Sequence, residues 1–135
     1  MALFEWKQDY SVSVNEFDAD HKSLFSLVNE LNDAMAHGQG RLVIGNVLQR
    51  LLQYTRDHFA AEEAAMRAAD FDGLAAHVAE HRELTEKVEA FAEEYSSGHT
   101  SVTIDVLYFL RDWLEHHVCL TDQKYSEPLN KRGTN

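Results

Sequence analysis

The chain has 135 residues, a net charge of -11, one proline, six glycines and one cysteine. That length supports one hydrophobic core burying roughly two-thirds of the unfolded surface, so residues 1–135 are expected to form a single domain. An acidic chain without a Lys/Arg cluster argues against nucleic acid and anionic membrane surfaces, and the lone Cys119 excludes an intrachain disulfide and an all-thiolate metal site and fits a cytoplasmic setting.

The first residues, MALFEWKQDYSV, contain no apolar run of signal length, and no later stretch approaches the roughly 18 apolar residues of a membrane span. Phe4, Trp6, Tyr10, Val12, Val14 and Phe17 show no helical stripe, which predicts an extended arm packed across helices. A first helix is expected from Asp18 or Asp20, each a possible N-cap, to about His37-Gly38, with His21, Leu24, Phe25, Val28, Leu31 and Met35 on one face. A second runs from about Arg41 to Arg67 and carries Val47, Leu48, Leu51, Leu52, Tyr54, Thr55, His58, Phe59 and Glu62 inward.

The DFDG segment at 70–73 predicts a stop followed by an aspartate cap. A third helix then places Leu74, His77, Val78, His81, Leu84, Val88 and Phe91 on its stripe, up to Tyr95. After a loop containing His99, a fourth carries Val102, Val106, Phe109, Leu110, Trp113, Leu114, His117 and Val118, and a polar tail follows Pro128. Long amphipathic segments with short loops predict an all-α, up-down-up-down four-helix bundle with an extended N-terminal arm.

The chemistry concentrates on the inward faces. His58 and Glu62, and His77 and His81, are each four residues apart, a step of about 40° on an α-helix, so each pair points off one face. With His21, His117 and Asp122 they offer more donors than one tetrahedral zinc needs, which favours two metals. His117 and Asp122 are five apart, about 140° on a regular helix. They are therefore not expected to bind one ion as an i, i+4 pair does; an Asp122 carboxylate bridging two ions fits that offset, with Leu114, Val118 and Thr121 walling the gap.

The blocks FEWKQDYSV, DADHKSLF, HFAAE, HVAEH and WLEHHVCLTDQKY, in that order and spacing, resemble the bacterial hemerythrins over essentially the whole chain. The resemblance implies two iron ions (Fe2+/Fe3+) bridged by an oxo or hydroxo group, with His77, His81 and His117 on one iron and His21 and His58 on the other. Glu62 and Asp122 would bridge both. It further implies reversible O2 binding for carriage, storage or delivery, without enzyme activity, by a monomer that hands O2 to a consuming enzyme. Leu24, Phe59, Trp113, Leu114 and Val118 are the candidate lining of the O2 pocket.

Alternatives at the same centre are a redox enzyme, such as a peroxidase or nitric oxide reductase, and an O2 or redox sensor. HVAEH also spells H-x-x-E-H, a zinc peptidase signature with Glu80 as base. That reading leaves His21, His58, Glu62, His117 and Asp122 unused, so Glu80 is expected to be a bystander. Asp20 and Tyr125 are expected beside the ligands, His116 points away from them, and Cys119 is expected as a small buried hydrophobe at the edge of the site.

Overall fold

The computed structural model describes residues 4–98 and 102–135. Its helices are α1 (Asn15–Ala36), α2 (Gly40–Ala68), α3 (Leu74–Ser96), α4 (Val102–His116) and a short α5 (Ser126–Lys131). α1 packs on α2 and α4, and α3 packs on the same two helices, which makes the four long helices an up-down-up-down bundle. Among the described residues no helix is long and apolar enough to cross a membrane. His99 and the side chain of Val102 lie outside the described residues.

The stripes explain the packing. Leu24, Val28 and Leu31 of α1 meet Ile44, Val47, Leu48 and Leu51 of α2, Leu84, Val88 and Phe91 of α3, and Val106, Leu110 and Leu114 of α4 in one apolar cluster. Burying each such side chain stabilises the bundle by about 1.5–3 kcal/mol. Helix ends depart from expectation at two places. α1 starts earlier, at Asn15, and Asp18 caps nothing within it; its carboxylate instead accepts the Val12 N–H at 2.8 Å and the Ser11 hydroxyl at 2.6 Å. The extended arm has backbone donors that need acceptors, and a carboxylate in the first turn of α1 is within reach.

The expected stop forms at Asp70, which adopts φ +52° while the Phe71 N–H closes on the Met66 carbonyl at 3.0 Å, but the expected aspartate cap of α3 does not, because Gly73 occupies the cap position and no side chain caps it. Aspartate tolerates this left-handed conformation better than most side chains. Gly73 then enters α3 against the Phe71 ring, where a Cβ would come within 2.7 Å of a ring carbon.

The arm packs as expected. Phe4 stacks on Phe25 with centroids 4.5 Å apart, and Tyr10 meets the same ring edge-on at 5.8 Å. Its far end is held by the C-terminal segment, which is more than a polar tail: α5 buries Leu129 in a second cluster with Val12, Val14, Phe17, Met66 and Tyr125. Ser126 donates to the Val12 carbonyl at 2.7 Å and Asn130 to that of Ser13 at 2.9 Å. The arm supplies an apolar surface, and folding back over it is how the tail removes Leu129 from water.

Candidate metal centre

The seven candidate ligands come together from every long helix, and none is more than 2% exposed. His21 comes from α1, His58 and Glu62 from α2, His77 and His81 from α3, and His117 and Asp122 from the segment that continues α4. Their donor atoms form two groups that share both carboxylates. Glu62 Oε2 lies 3.3 Å from the Nε2 atoms of both His21 and His58, while its Oε1 lies 3.2 Å from His81 Nε2. Asp122 divides in the same way: Oδ2 is 3.1 Å from His21 Nε2, and Oδ1 is 2.8 Å from His77 Nε2 and 3.0 Å from His117 Nε2.

These approaches fall inside hydrogen-bond distance, yet they lack hydrogen-bond geometry. Both nitrogens of His21, Nε2 of His77, His81 and His117, Oε1 of Glu62 and both oxygens of Asp122 are buried without a partner. So many orphaned polar atoms in one place would be costly in a finished core, where buried polar groups are paired. Imidazole nitrogens and carboxylate oxygens aimed at two common points suit two cations of the iron or manganese type.

The placement of Asp122 corrects the expected wide offset from His117. Residues His117–Thr121 form a π-turn, followed by a 3₁₀ turn at Asp122–Tyr125. The i→i+5 bonding of a π-turn stacks residues five apart, so His117 and Asp122 face one point instead of standing about 140° apart. Thr121 does not wall the site; it turns to α3.

Outside the donor atoms, three carboxylates hold the far edges of three imidazoles. Asp20 accepts from His58 Nδ1–H at 2.7 Å, Glu63 from His81 Nδ1–H at 2.8 Å and Glu80 from His117 Nδ1–H at 2.9 Å. A carboxylate is an acceptor, so each contact places the ring proton on Nδ1 and frees the Nε2 lone pair for the centre. Asp20 is where the sequence suggested. Glu80 is not the expected bystander, because it also accepts from the Thr121 hydroxyl at 2.9 Å and 3.1 Å. Glu63 was missed; its signal is that it follows Glu62 directly, turned about 100° toward the flank of α3. Tyr125, fully buried, donates to Glu62 Oε2.

The electrostatics match a cation site. Burial opposes charge on His21 and His58, yet Asp122, Glu62 and Asp20 outweigh it and push the imidazoles up to about 10 and 9. Burial likewise opposes ionisation of Glu62 and Asp122, but the surrounding imidazoles hold both well below the usual carboxylate range. Burial, together with the negative Glu62 and Asp122, drives the Tyr125 hydroxyl far above its ordinary value, so it remains a donor. A negative pocket that raises its own imidazoles also attracts a metal dication.

Apolar groups close the remaining sides. Phe59 stacks on His81 at 3.8 Å and Trp113 on His117 at 4.3 Å, while Phe17 meets His58 edge-on at 5.8 Å. Leu24, Leu114 and Val118 are buried in the same cluster as Phe59 and Trp113. His116 is exposed, and Cys119 is only half-buried, not the enclosed hydrophobe expected. Burial, with Glu115 and Asp122 nearby, pushes its thiol up to about 11.

A family profile described as the hemerythrin HHE cation binding domain matches residues 12–127. The sequence is 34% identical over 131 residues to the bacteriohemerythrin of Methylococcus capsulatus, covering 96% of this chain and 99% of that one. It is 25% identical over 126 residues to the myohemerythrin of Theromyzon tessulatum, covering 93% of each. The crystal structure of a wild-type hemerythrin superposes with a TM-score of 0.85 at 34% identity, covering 95% of this chain and 98% of that one.

Proposed function

The chain belongs to the hemerythrin family, and from that premise we propose which side chains carry its function, O2 binding at a non-heme di-iron centre. His77, His81 and His117 would hold one iron and His21 and His58 the other, with Glu62 and Asp122 each giving one oxygen to either ion. When bound, the iron pair supplies reversible two-electron exchange with O2. Counting one oxygen from each carboxylate, the first group would offer five protein donors and the second four, so the residues around His21 and His58 would leave more room for O2.

The remaining residues orient and enclose. Asp20, Glu63 and Glu80 hold the Nδ1 protons of His58, His81 and His117 and so fix which nitrogen faces the centre. Leu24, Phe59, Trp113, Leu114 and Val118 keep water from the pocket, where an uncompensated charge would cost several kcal/mol. The relatives are named hemerythrins, oxygen-binding proteins and not enzymes, which supports carriage, storage or delivery over turnover. In this reading the protein works as a cytoplasmic monomer and passes O2 to an enzyme that consumes it.

The observation that carries the reading is a cluster of buried donor atoms, most of them unpartnered, in which Glu62 and Asp122 each turn one oxygen toward His21 and the other toward the three-histidine group. Iron content together with the visible spectrum under air and under argon tests it. Two irons per chain, with a band that appears in air and disappears under argon, is the expected result. A single zinc without iron, or a band that decays irreversibly while a substrate is oxidised, overturns it.

A further inference from the structure

We infer that Glu80 is a positioning residue that fixes the helix register of the metal centre: from α3 it grips both ends of the π-turn and keeps Asp122, rather than Thr121, in line with His117. The inference rests on the assignment of His117 and Asp122 to the iron site.

The two readings of this segment differ by one residue. In a continuous α-helix the side chain aligned with His117 is the one four positions on, Thr121, and Asp122 swings about 100° further round. Only a turn with i→i+5 bonding exchanges them. Such turns are rare and short, and this one spans His117–Thr121. Its register therefore needs support from outside its own backbone.

Glu80 is placed to supply it. One carboxylate oxygen accepts from His117 Nδ1–H and Thr121 Oγ1–H, each at 2.9 Å, and the other lies 3.1 Å from the same hydroxyl. The contacts fall on the first and last residues of the turn, so both its ends are tied to α3. They also hold Thr121, the residue that would take the place of Asp122 in the α-helical register, on the flank facing α3. Thr121 is 5% exposed, and its hydroxyl meets the same carboxylate that orients His117. Glu80 sits on α3 between His77 and His81, so the helix that presents two ligands also sets the register of the segment that presents two more. Glu63 and Asp20 make the equivalent contact to an imidazole.

The test compares Glu80→Gln, Glu80→Ala and Thr121→Val in the protein as isolated, by amide hydrogen exchange over residues 117–125 and by the rate at which a chelator strips ferrous iron. Loss of the grip in Glu80→Ala should speed exchange there about tenfold or more and leave α1 and α2 unchanged. One of the two irons, that of the three-histidine group, should leave about 10–100-fold faster. Thr121→Val keeps the volume and removes the hydroxyl, and should move both readouts in the same direction by about threefold to tenfold. Glu80→Gln retains a carbonyl oxygen for His117 and a polar partner for Thr121, so it should stay within about threefold of the parent. The double variant Glu80→Ala/Thr121→Val should be no worse than Glu80→Ala, since both remove one shared grip.

A Thr121→Val protein indistinguishable from the parent, or a Glu80→Gln protein as impaired as Glu80→Ala, overturns the inference, because Glu80 would then act through its charge on His117 alone. If Glu80→Ala does not fold, those two variants still decide. A parent protein that takes up no iron would count against the functional reading, whereas the exchange measurement bears on the grip by itself.

Discussion

The two halves of the centre are built differently. The half containing His77, His81 and His117 is the more heavily braced: Glu63 and Glu80 hold the ring edges of His81 and His117, Phe59 and Trp113 lie flat on the faces of the same two rings, and the π-turn that begins at His117 is tied to α3. The half containing His21 and His58 has one outer carboxylate, Asp20, an edge-on Phe17, and a His21 whose Nδ1 is buried without a partner. Bracing thus accompanies the side with the larger number of protein donors. The less braced side has the smaller number, and in the proposed assignment it is the side that would take O2, where small adjustments of the ligands cost least.

The sharpest way to break this comparison is to remove what the halves share. Glu62 gives Oε2 to one group and Oε1 to the other. Glu62→Ala should therefore empty both positions and leave iron near zero per chain, whereas His21→Ala should leave about one. Metal analysis of the purified proteins distinguishes the two. Equal loss in both variants would mean that the two halves do not fill independently and that the division drawn above has no chemical meaning.

A smaller effect is expected at the aromatic brace. Trp113 is 8% exposed and stacks on His117. Trp113→Ala should lower unfolding free energy by about 3–5 kcal/mol through lost burial and the cavity left behind. Denaturant titration measures this. If bracing is local, the same variant speeds iron loss from the three-histidine side only; acceleration of both irons together would place Trp113 in the general core and remove it from the comparison.

How much of this was legible follows from which features have a period. The bundle, its stripes and the two i, i+4 ligand pairs are helical repeats, so His58, Glu62, His77 and His81 could be aligned by counting. The position of Asp122 relative to His117 could not, because a π-turn breaks the count and leaves no compositional mark. Asp18 and an aspartate of the DFDG segment read as helix caps; Asp18 satisfies the arm, and in DFDG Asp70 ends α2 with positive φ while Gly73 takes the cap position of α3, and both outcomes depend on chain segments that counting cannot place. Glu80 was misjudged for a related reason. Its partner Thr121 is distant in sequence and reaches it only through the π-turn.

Tyr125 offers a finer probe of the less braced half. Its hydroxyl donates to Glu62 Oε2, the oxygen facing His21 and His58. A hydrogen bond there draws electron density from that oxygen and weakens its donation on the open side. Tyr125→Phe preserves the ring among Phe17, Leu129 and Met66 and removes only the hydroxyl. A bond to a charged acceptor implies a loss of about 1.5–3 kcal/mol in unfolding free energy. The stronger test is spectroscopic: the signal of the two-histidine iron should shift while that of its neighbour stays. A shift at both irons would show that the Glu62 oxygens are not electronically separate.

The smallest effect should come from His116, next to the ligand His117. The two are adjacent in sequence but about 100° apart around the helix, and His116 is exposed where His117 is 1% exposed. It is also the last residue of α4 before the π-turn begins. If register is set by the turn and its grip on Glu80, the residue preceding it contributes only a solvated ring. His116→Ala should then change stability by no more than about 0.5 kcal/mol, as surface substitutions away from caps and buried networks do. Iron should remain at about two per chain. A marked loss of iron in this variant would mean that the segment can slip by one residue and use either histidine, and the braced half would then be the mobile one.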